Sequence, residues 1–159
     1  MHRHAFTVGE ANALLPLARA TLRRVRAAAE AARRRADRIA VLGVLWGEDV
    51  RRTAHADHPE YRAHRSAIDR IRRRVERLVE ERFTARGVRF PPGGIEHGLL
   101  DFPTTLDGRW VYLCWRLGEE RVGYWHETDA GFASRRAITD DEAARMGPPP
   151  GPAKPSGPH

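Results

Sequence analysis

Cysteine is almost absent from the sequence, since Cys114 is the single copy among 159 residues. One thiol cannot form a disulfide within the chain, and it excludes a metal cluster that needs several cysteines from one chain. A run of about 18 apolar residues, which a membrane-spanning helix requires, is also missing. The first residues do not follow the pattern of a secretory signal peptide. We therefore expect a cytoplasmic protein that does not span a membrane.

Signatures of known catalytic sites are missing as well. The sequence has no glycine-rich phosphate loop, no GxSxG elbow around a nucleophilic serine and no HExxH zinc motif. The length fits one domain, which we place at residues 1–146. Residues 147–159 are rich in proline and glycine and cannot bury a core, so we expect a disordered tail there.

Lysine is nearly absent too, because Lys154 is the one lysine beside 27 arginines. Residues 1–87 hold 20 arginines and 11 acidic residues, a net charge of +9. Residues 88–159 hold 8 basic and 10 acidic residues, a net charge of −2. The basic segment permits nucleic-acid binding by arginine-rich helices. We favour the alternative, in which these arginines form an ordinary solvated helix surface.

The first residues predict the start of a helix. Thr7 is followed three positions later by Glu10, so the two side chains can form a capping box. Pro16 follows within the same apolar pattern, where it removes one backbone donor and its ring clashes with the preceding turn. We expect Pro16 to kink the helix or to divide a first short turn from a longer body.

Two stretches before residue 88 have helical periodicity. Apolar residues recur every three or four positions over 11–39 and again over 61–78. Residues 41–60 lie between them and contain two glycines and a proline, which indicates a break. The pattern predicts a long antiparallel helical hairpin, similar to a coiled coil, over residues 6–87.

A small antiparallel sheet is predicted over residues 95–138. Asp107-Gly108 lies between two alternating apolar runs, which is the strongest local sign of a two-residue hairpin turn. This turn places Asp101 opposite Cys114. A second turn at 118–120 would add a third strand, and either choice of its loop pair predicts the same two faces.

These pairings predict one apolar face and one chemically mixed face. The apolar face comprises Leu100, Phe102, Val111, Leu113, Trp115, Val122, Tyr124 and His126. The mixed face comprises Asp101, Pro103, Tyr112, Cys114, Arg116, Gly123, Trp125 and Glu127. The fold class that we predict is therefore α+β: a long antiparallel helical hairpin, a small three-stranded antiparallel sheet and a short C-terminal helix capped by Thr139 and Glu142.

The mixed face is the best candidate binding site, because it combines an acid, a base, a thiol and aromatic rings within cross-strand reach. The candidate ligand-binding residues are Asp101, Tyr112, Cys114, Arg116, Trp125, Glu127 and, from the following loop, Arg135. Arg116 and Arg135 together could hold an anion through paired donors.

A metal site is the other chemistry that this region allows. Its candidate ligands are His97, His126 and Asp129, together with Asp101 and Glu127. Neutral imidazole and carboxylate suit zinc, iron or manganese, so a divalent metal is the candidate cofactor. Asp129 could accept a hydrogen bond from one imidazole nitrogen of His126, which would leave the other for a metal, a ligand or a helix carbonyl. We favour the alternative, a structural histidine that ties the loop to a helix end.

Four segments carry a family resemblance. They are FTVGEANALLP near the start, GLLDFP at 98–103, DGRWVYLCWRLGE at 107–119 and YWHETDAGFASR at 124–135. Together they resemble the bacterial family called domain of unknown function 2203. Ser134 and Ala137 depart from the pattern of that family, which has glycine and proline there. The resemblance implies a fold and a motif, and it implies no activity.

Three functional interpretations follow. The first is a non-enzymatic interaction or dimerisation module, with a protein partner or a second copy of the chain. The second is a small metal-binding or anion-binding protein, or an enzyme, that uses the mixed face and the WHETDAGF loop at 125–132. The third is nucleic-acid binding by the arginine-rich helices. We favour the first.

Overall fold

The protein has an α+β structure that divides into two compact units. The computed structural model describes residues 3–148. Among these residues, unit 1 comprises 3–19 and 83–148, and unit 2 comprises 20–82. The predicted α+β class is confirmed, whereas the assignment of residues 1–146 to a single domain stays a prediction.

Five helices and four strands make up the described chain. The helices are α1 (Val8–Ala13), α2 (Leu15–Trp46), α3 (His58–Arg82), α4 (Gly94–His97) and α5 (Asp140–Arg145). The strands are β1 (Leu99–Leu106), β2 (Arg109–Arg116), β3 (Tyr124–Glu127) and β4 (Arg136–Ala137). Short 3₁₀ turns cover Gly47–Arg51, Thr84–Arg86 and Phe132–Ser134. Within residues 3–148, no helix is long and apolar enough to cross a membrane.

Unit 2 consists of most of α2, the α3 helix and the turn between them. Arg35 lies 3.2 Å from His64, and Arg38 donates to Glu60 over 2.6 Å. Residue numbers rise along α2 while those of its partners fall along α3, so the two helices are antiparallel. A coiled coil stays a prediction. The break that we expected to begin at residue 41 was placed too early, because α2 continues as far as Trp46.

The start of the chain, in unit 1, follows the predicted pattern in part. Thr7 caps α1, since its side chain accepts from the backbone N–H of Glu10. The carboxylate of Glu10 contacts His4 over 2.9 Å instead of closing the predicted capping box. The helix is interrupted between Ala13 and Leu15. That interruption confirms the division expected from Pro16.

The sheet of unit 1 is antiparallel with the strand order β1-β2-β3-β4. Asp107 and Gly108 both have positive φ, as a type I′ turn requires, and Asp101 pairs with Cys114 as predicted. The predicted number of strands, three, was wrong. β4 has only two residues, which is too short to produce a recognisable alternation.

Both faces of the sheet are buried in its centre. Leu113 and Trp115 are fully buried on the apolar face, as predicted, and the ring of Phe6 packs edge-on against Phe102 at 5.4 Å. The short helix α5 carries the predicted capping box of Thr139 and Glu142. Of the predicted tail, residues 149–159 lie outside the described residues.

Candidate functional site

Three buried polar residues meet on the mixed face of the sheet. Asp101 on β1 pairs directly with Cys114 on β2, and directly paired residues of antiparallel strands share a face. Cys114 in turn pairs with Tyr124 on β3. His126 lies two residues further along β3, so it points to the same face as Tyr124 and Cys114.

The prediction that placed His126 on the apolar face was wrong. We expected a two-residue turn between β2 and β3, but residues 117–123 form a seven-residue connection. The actual pairing differs from the expected one by a single residue, which moves every side chain of β3 to the opposite face. His126 and Tyr124 therefore join the mixed face, and Trp125 and Glu127 leave it.

The three side chains form a compact, buried cluster. Asp101 and Cys114 are each 1% exposed and His126 is 3% exposed. One potential ligand atom from each residue lies within 4.8 Å of the other two. His126 Nε2 is 3.2 Å from Asp101 Oδ1. We call Asp101, Cys114 and His126 the buried triplet.

The imidazole of His126 is oriented by the backbone. Nδ1 lies 2.8 Å from the carbonyl oxygen of Glu127. A carbonyl can only accept a hydrogen bond, so Nδ1 carries a hydrogen and donates it. The prediction that Asp129 orients His126 was wrong, because one imidazole nitrogen faces a backbone carbonyl and the other faces Asp101.

The surroundings of His126 favour its protonated form. The hydrogen bond to Asp101, followed by the interaction with Cys114, raises its pKa from 6.5 to about 10 against the opposing effect of burial. In this state both nitrogens donate to oxygen acceptors. The other carboxylate oxygen of Asp101, Oδ2, is buried and has no hydrogen-bond partner within residues 3–148. A buried oxygen without a partner is costly.

Arg135 brings a second cation to the triplet. Its guanidinium lies 4.0 Å from the ring centres of both Tyr124 and Phe132, and it forms an ion pair with Glu119. Burial lowers the pKa of Arg135, but Glu119 and Cys114 outweigh burial and raise it overall. Its Nη1 is buried and has no hydrogen-bond partner in the described part of the chain.

Two further residues of this region were not predicted. Arg89 forms an isolated backbone bridge with Asp101 and donates to the hydroxyl of Tyr112, whose ring centre is 5.6 Å from that of His126. A one-residue bridge leaves no alternation in the sequence that could reveal it. Glu119 was assigned only to a turn, and nothing local indicated that it pairs with Arg135.

The remaining candidates lie elsewhere. Trp125 is buried on the opposite face and donates to Glu142 over 3.3 Å. Glu127 forms an ion pair with Arg109 at 2.8 Å. His97 and Asp129 are exposed and do not belong to the triplet.

The two arginines of the predicted anion site, Arg116 and Arg135, both lie near the ring of Phe132. Arg116 is exposed, and its guanidinium lies 5.7 Å from the ring centre of Phe132. Arg135 lies against the same ring and is already paired with Glu119. An anion held by both guanidinium groups stays a prediction.

The triplet lacks the geometry of a nucleophilic triad. In such a triad one imidazole nitrogen faces the thiol and the other faces the carboxylate. Here Nδ1 faces the Glu127 carbonyl and Nε2 faces Asp101, so neither nitrogen is left to accept the proton of Cys114. Convergence of a thiol, an imidazole and a carboxylate on one point is instead typical of a metal centre.

Comparison with known proteins supports the family resemblance. Residues 4–138 match the model of a family described as "Uncharacterized conserved protein (DUF2203)". The chain belongs to this family. The match includes all three members of the triplet, together with Arg135 and Glu119. No curated protein and no solved structure matches the chain, so the family adds no activity to the geometry.

Proposed function

We propose that the protein binds a divalent metal ion of the zinc class at the buried triplet, and that this centre is structural. The observation that carries the proposal is the orphaned Oδ2 of Asp101, a buried carboxylate oxygen without a hydrogen-bond donor in the described chain. A cation held between Asp101, Cys114 and His126 would satisfy that oxygen.

The donor set suits such an ion. Zinc binds cysteine, histidine and aspartate at 2.0–2.3 Å, so its tetrahedral ligand atoms lie about 3.3–3.8 Å apart. The triplet's atoms lie within 4.8 Å, and the pair of Nε2 and Oδ1 at 3.2 Å already fits. Asp101 could supply a fourth donor by binding through both of its oxygens.

Two outer contacts of the triplet also favour a metal. The donation from His126 Nδ1 to the Glu127 carbonyl fixes the ring as a metal-ligating histidine requires, with Nε2 directed inwards. The charges balance as well. A thiolate and a carboxylate neutralise a divalent ion, and Arg135 is neutralised by Glu119.

Burial supports a structural role over a catalytic one. Catalytic zinc keeps one position open to water or substrate, whereas structural sites are closed. All three members of the triplet are almost completely buried. We therefore favour a structural centre, and an enzyme that uses this face is the weaker alternative.

Cobalt titration of the full chain tests the proposal. After chelator treatment and reduction of the thiol, Co²⁺ should bind one per chain and give the near-ultraviolet absorption of a cobalt–thiolate bond, and Zn²⁺ should displace it. Cys114→Ser should abolish this absorption, and Asp101→Asn and His126→Gln should each weaken binding at least tenfold. Substituting a residue that only supports a metal ligand typically lowers metal affinity 10–100-fold, so removing a ligand itself should lower it by at least that much.

Matched controls come from the exposed candidates in unit 1. His97→Gln and Asp129→Asn should bind cobalt like the unsubstituted protein, because neither residue reaches the triplet. Cobalt binding without a thiolate band in the unsubstituted protein would refute the site, whatever the variants do. Absence of cobalt and zinc binding would refute the function and leave a buried Asp101–His126 ion pair in its place.

A further inference from the structure

The guanidinium of Arg135 is held firmly on the mixed face of the sheet. It lies 4.0 Å from the ring centre of Tyr124 and 4.0 Å from that of Phe132, and its Nη2 donates to Glu119. Guanidinium groups stack favourably on aromatic rings and pair in a fixed geometry with carboxylates. With two rings and a carboxylate in contact, Arg135 has little freedom to move.

The carboxylate that pairs with Arg135 is anchored to β2. Oε2 of Glu119 accepts from the backbone N–H of Arg116 over 2.9 Å, and the backbone carbonyl of Glu119 accepts from the indole of Trp115 over 3.1 Å. The ion pair therefore ties the segment before β4 to the end of β2. It uses Nη2 of Arg135, so Nη1 is left for a different acceptor.

Cys114 lies next to the guanidinium of Arg135. The guanidinium stacks on Tyr124, and Tyr124 pairs directly with Cys114 across β2 and β3. Directly paired side chains share a face, with about 4.5–5.5 Å between their Cβ atoms. Burial lowers the pKa of Arg135, but Glu119 and then Cys114 raise it overall, as expected for a cation beside both groups.

Two polar side-chain atoms that lack a partner among residues 3–148 flank this cysteine. Oδ2 of Asp101 belongs to its neighbour on β1, and Nη1 of Arg135 lies on the side of β3. The sulfur of a neutral thiol is a weak acceptor and does little for a buried cationic donor. A metal-bound cysteine is a thiolate, and a charged acceptor makes a much stronger hydrogen bond. An ion that satisfies Oδ2 would thus also create an acceptor for Nη1.

We propose that Arg135 is a positioning residue of the metal centre, whose Nη1 donates an N–H···S hydrogen bond to the thiolate of Cys114. The inference rests on the proposed function, because it needs the metal-bound thiolate. It gives Cys114 the kind of outer contact that the Glu127 carbonyl gives His126. Such contacts orient a ligand and adjust its electron donation to the metal.

The wavelength of the cobalt–thiolate absorption in the full chain tests this role. A hydrogen bond stabilises the lone pairs of the sulfur, so charge transfer from sulfur to Co²⁺ needs more energy. Arg135→Met removes the donor and should move the band to longer wavelength. It should also raise the cobalt dissociation constant 10–100-fold, as is typical when an outer contact is lost. Only cobalt-bound molecules contribute to the band, so a loss of stability does not change its position.

Further variants separate the hydrogen bond from the ion pair and from charge alone. Arg135→Lys keeps a cation for Glu119 but offers one nitrogen instead of several, so it should move the band in the same direction. Glu119→Gln breaks the ion pair and leaves Nη1 in place. Arg136→Met removes the next arginine, which is exposed and pairs with Trp125 on the other face. The last two variants should keep the wavelength of the unsubstituted protein.

The outcomes distinguish this role from the metal centre itself. A thiolate band that stays at the same wavelength in Arg135→Met and Arg135→Lys would overturn the hydrogen bond and leave the metal centre intact. A band that Glu119→Gln moves as far as Arg135→Met would assign the effect to the ion pair, and would overturn the hydrogen bond as well. Absence of the band in the unsubstituted protein would refute the metal centre, and with it this role of Arg135.

Discussion

The two units depart in opposite ways from the usual pattern, in which charged side chains are exposed and apolar side chains are buried. Unit 1 buries a carboxylate, an imidazolium and most of a guanidinium at Asp101, His126 and Arg135. Unit 2 exposes Val44 and Leu45 to water. In soluble proteins charged groups are seldom buried, and contiguous apolar patches are seldom exposed.

Each departure has an energetic cost that a binding partner would offset. Removing charged groups from water costs several kcal/mol per ion, and their mutual attraction repays it only when the remaining hydrogen bonds are satisfied. At the triplet they are not, since Asp101 Oδ2 has no donor among the described residues. Unit 1 would therefore be stabilised by a ligand bound in its interior, whereas unit 2 would be stabilised by a partner bound at its surface.

The largest effect that we expect comes from removing the charge at the centre of unit 1. In the metal-free protein, Asp101→Ala should lower the free energy of unfolding by about 3–5 kcal/mol, because it breaks a buried ion pair and removes the hydrogen bond that holds the proton on His126. Denaturant unfolding measures this loss. Asp129→Ala, at an exposed carboxylate, should change stability by no more than about 0.5 kcal/mol. Equal losses in the two variants would show that the triplet is not the source.

A second substitution compares apolar residues between the units. Leu113 is completely buried in unit 1, so Leu113→Ala should cost about 2–5 kcal/mol as a large-to-small change in a core. Val44 in unit 2 is 88% exposed, so Val44→Ala should cost less than about 0.5 kcal/mol. A loss below about 0.5 kcal/mol for Leu113→Ala would show that our assignment of the apolar and mixed faces of the sheet is reversed.

Much of unit 1 could be predicted because its signals are local. Asp107-Gly108 specifies its own turn through two positive φ values, and this fixed the pairing of Asp101 with Cys114. Thr139 and Glu142 specify a helix start within four residues. In each case the atoms that determine the structure are neighbours in sequence.

The connection between β2 and β3 could not be predicted because distant residues hold it. The backbone N–H of Val122 donates to Asn12 over 2.8 Å, and the carbonyl of Glu120 accepts from Arg19 over 2.7 Å. Local turn preferences contain no information about either contact. The length of this connection decides which face His126 occupies, so the members of the triplet could be named from the sequence but not brought together.

The smallest effect that we expect concerns the arginines of unit 2 and nucleic acid. Residues 20–82 hold 17 arginines and 10 acidic residues, so the unit attracts phosphate. Several of these arginines are close to carboxylates on the same surface, as with Arg38 and Glu60 or Arg72 and Asp69. The net attraction is therefore diffuse. We expect only non-specific binding, with a dissociation constant of about 10⁻⁴–10⁻⁶ M at physiological salt.

Fluorescence anisotropy of a labelled random duplex, measured at several salt concentrations, checks this expectation. The affinity should fall steeply with salt because phosphate contacts release counterions, and Arg70→Glu should lower the salt slope by no more than about one. Submicromolar binding that persists at physiological salt would contradict it. Leu45→Asp, at an exposed apolar residue near the end of α2, adds a single negative charge and should change nucleic-acid affinity no more than Arg70→Glu does. A larger loss of nucleic-acid binding in Leu45→Asp would mean that the exposed apolar end of α2, and not the diffuse charge of the unit, forms the nucleic-acid surface.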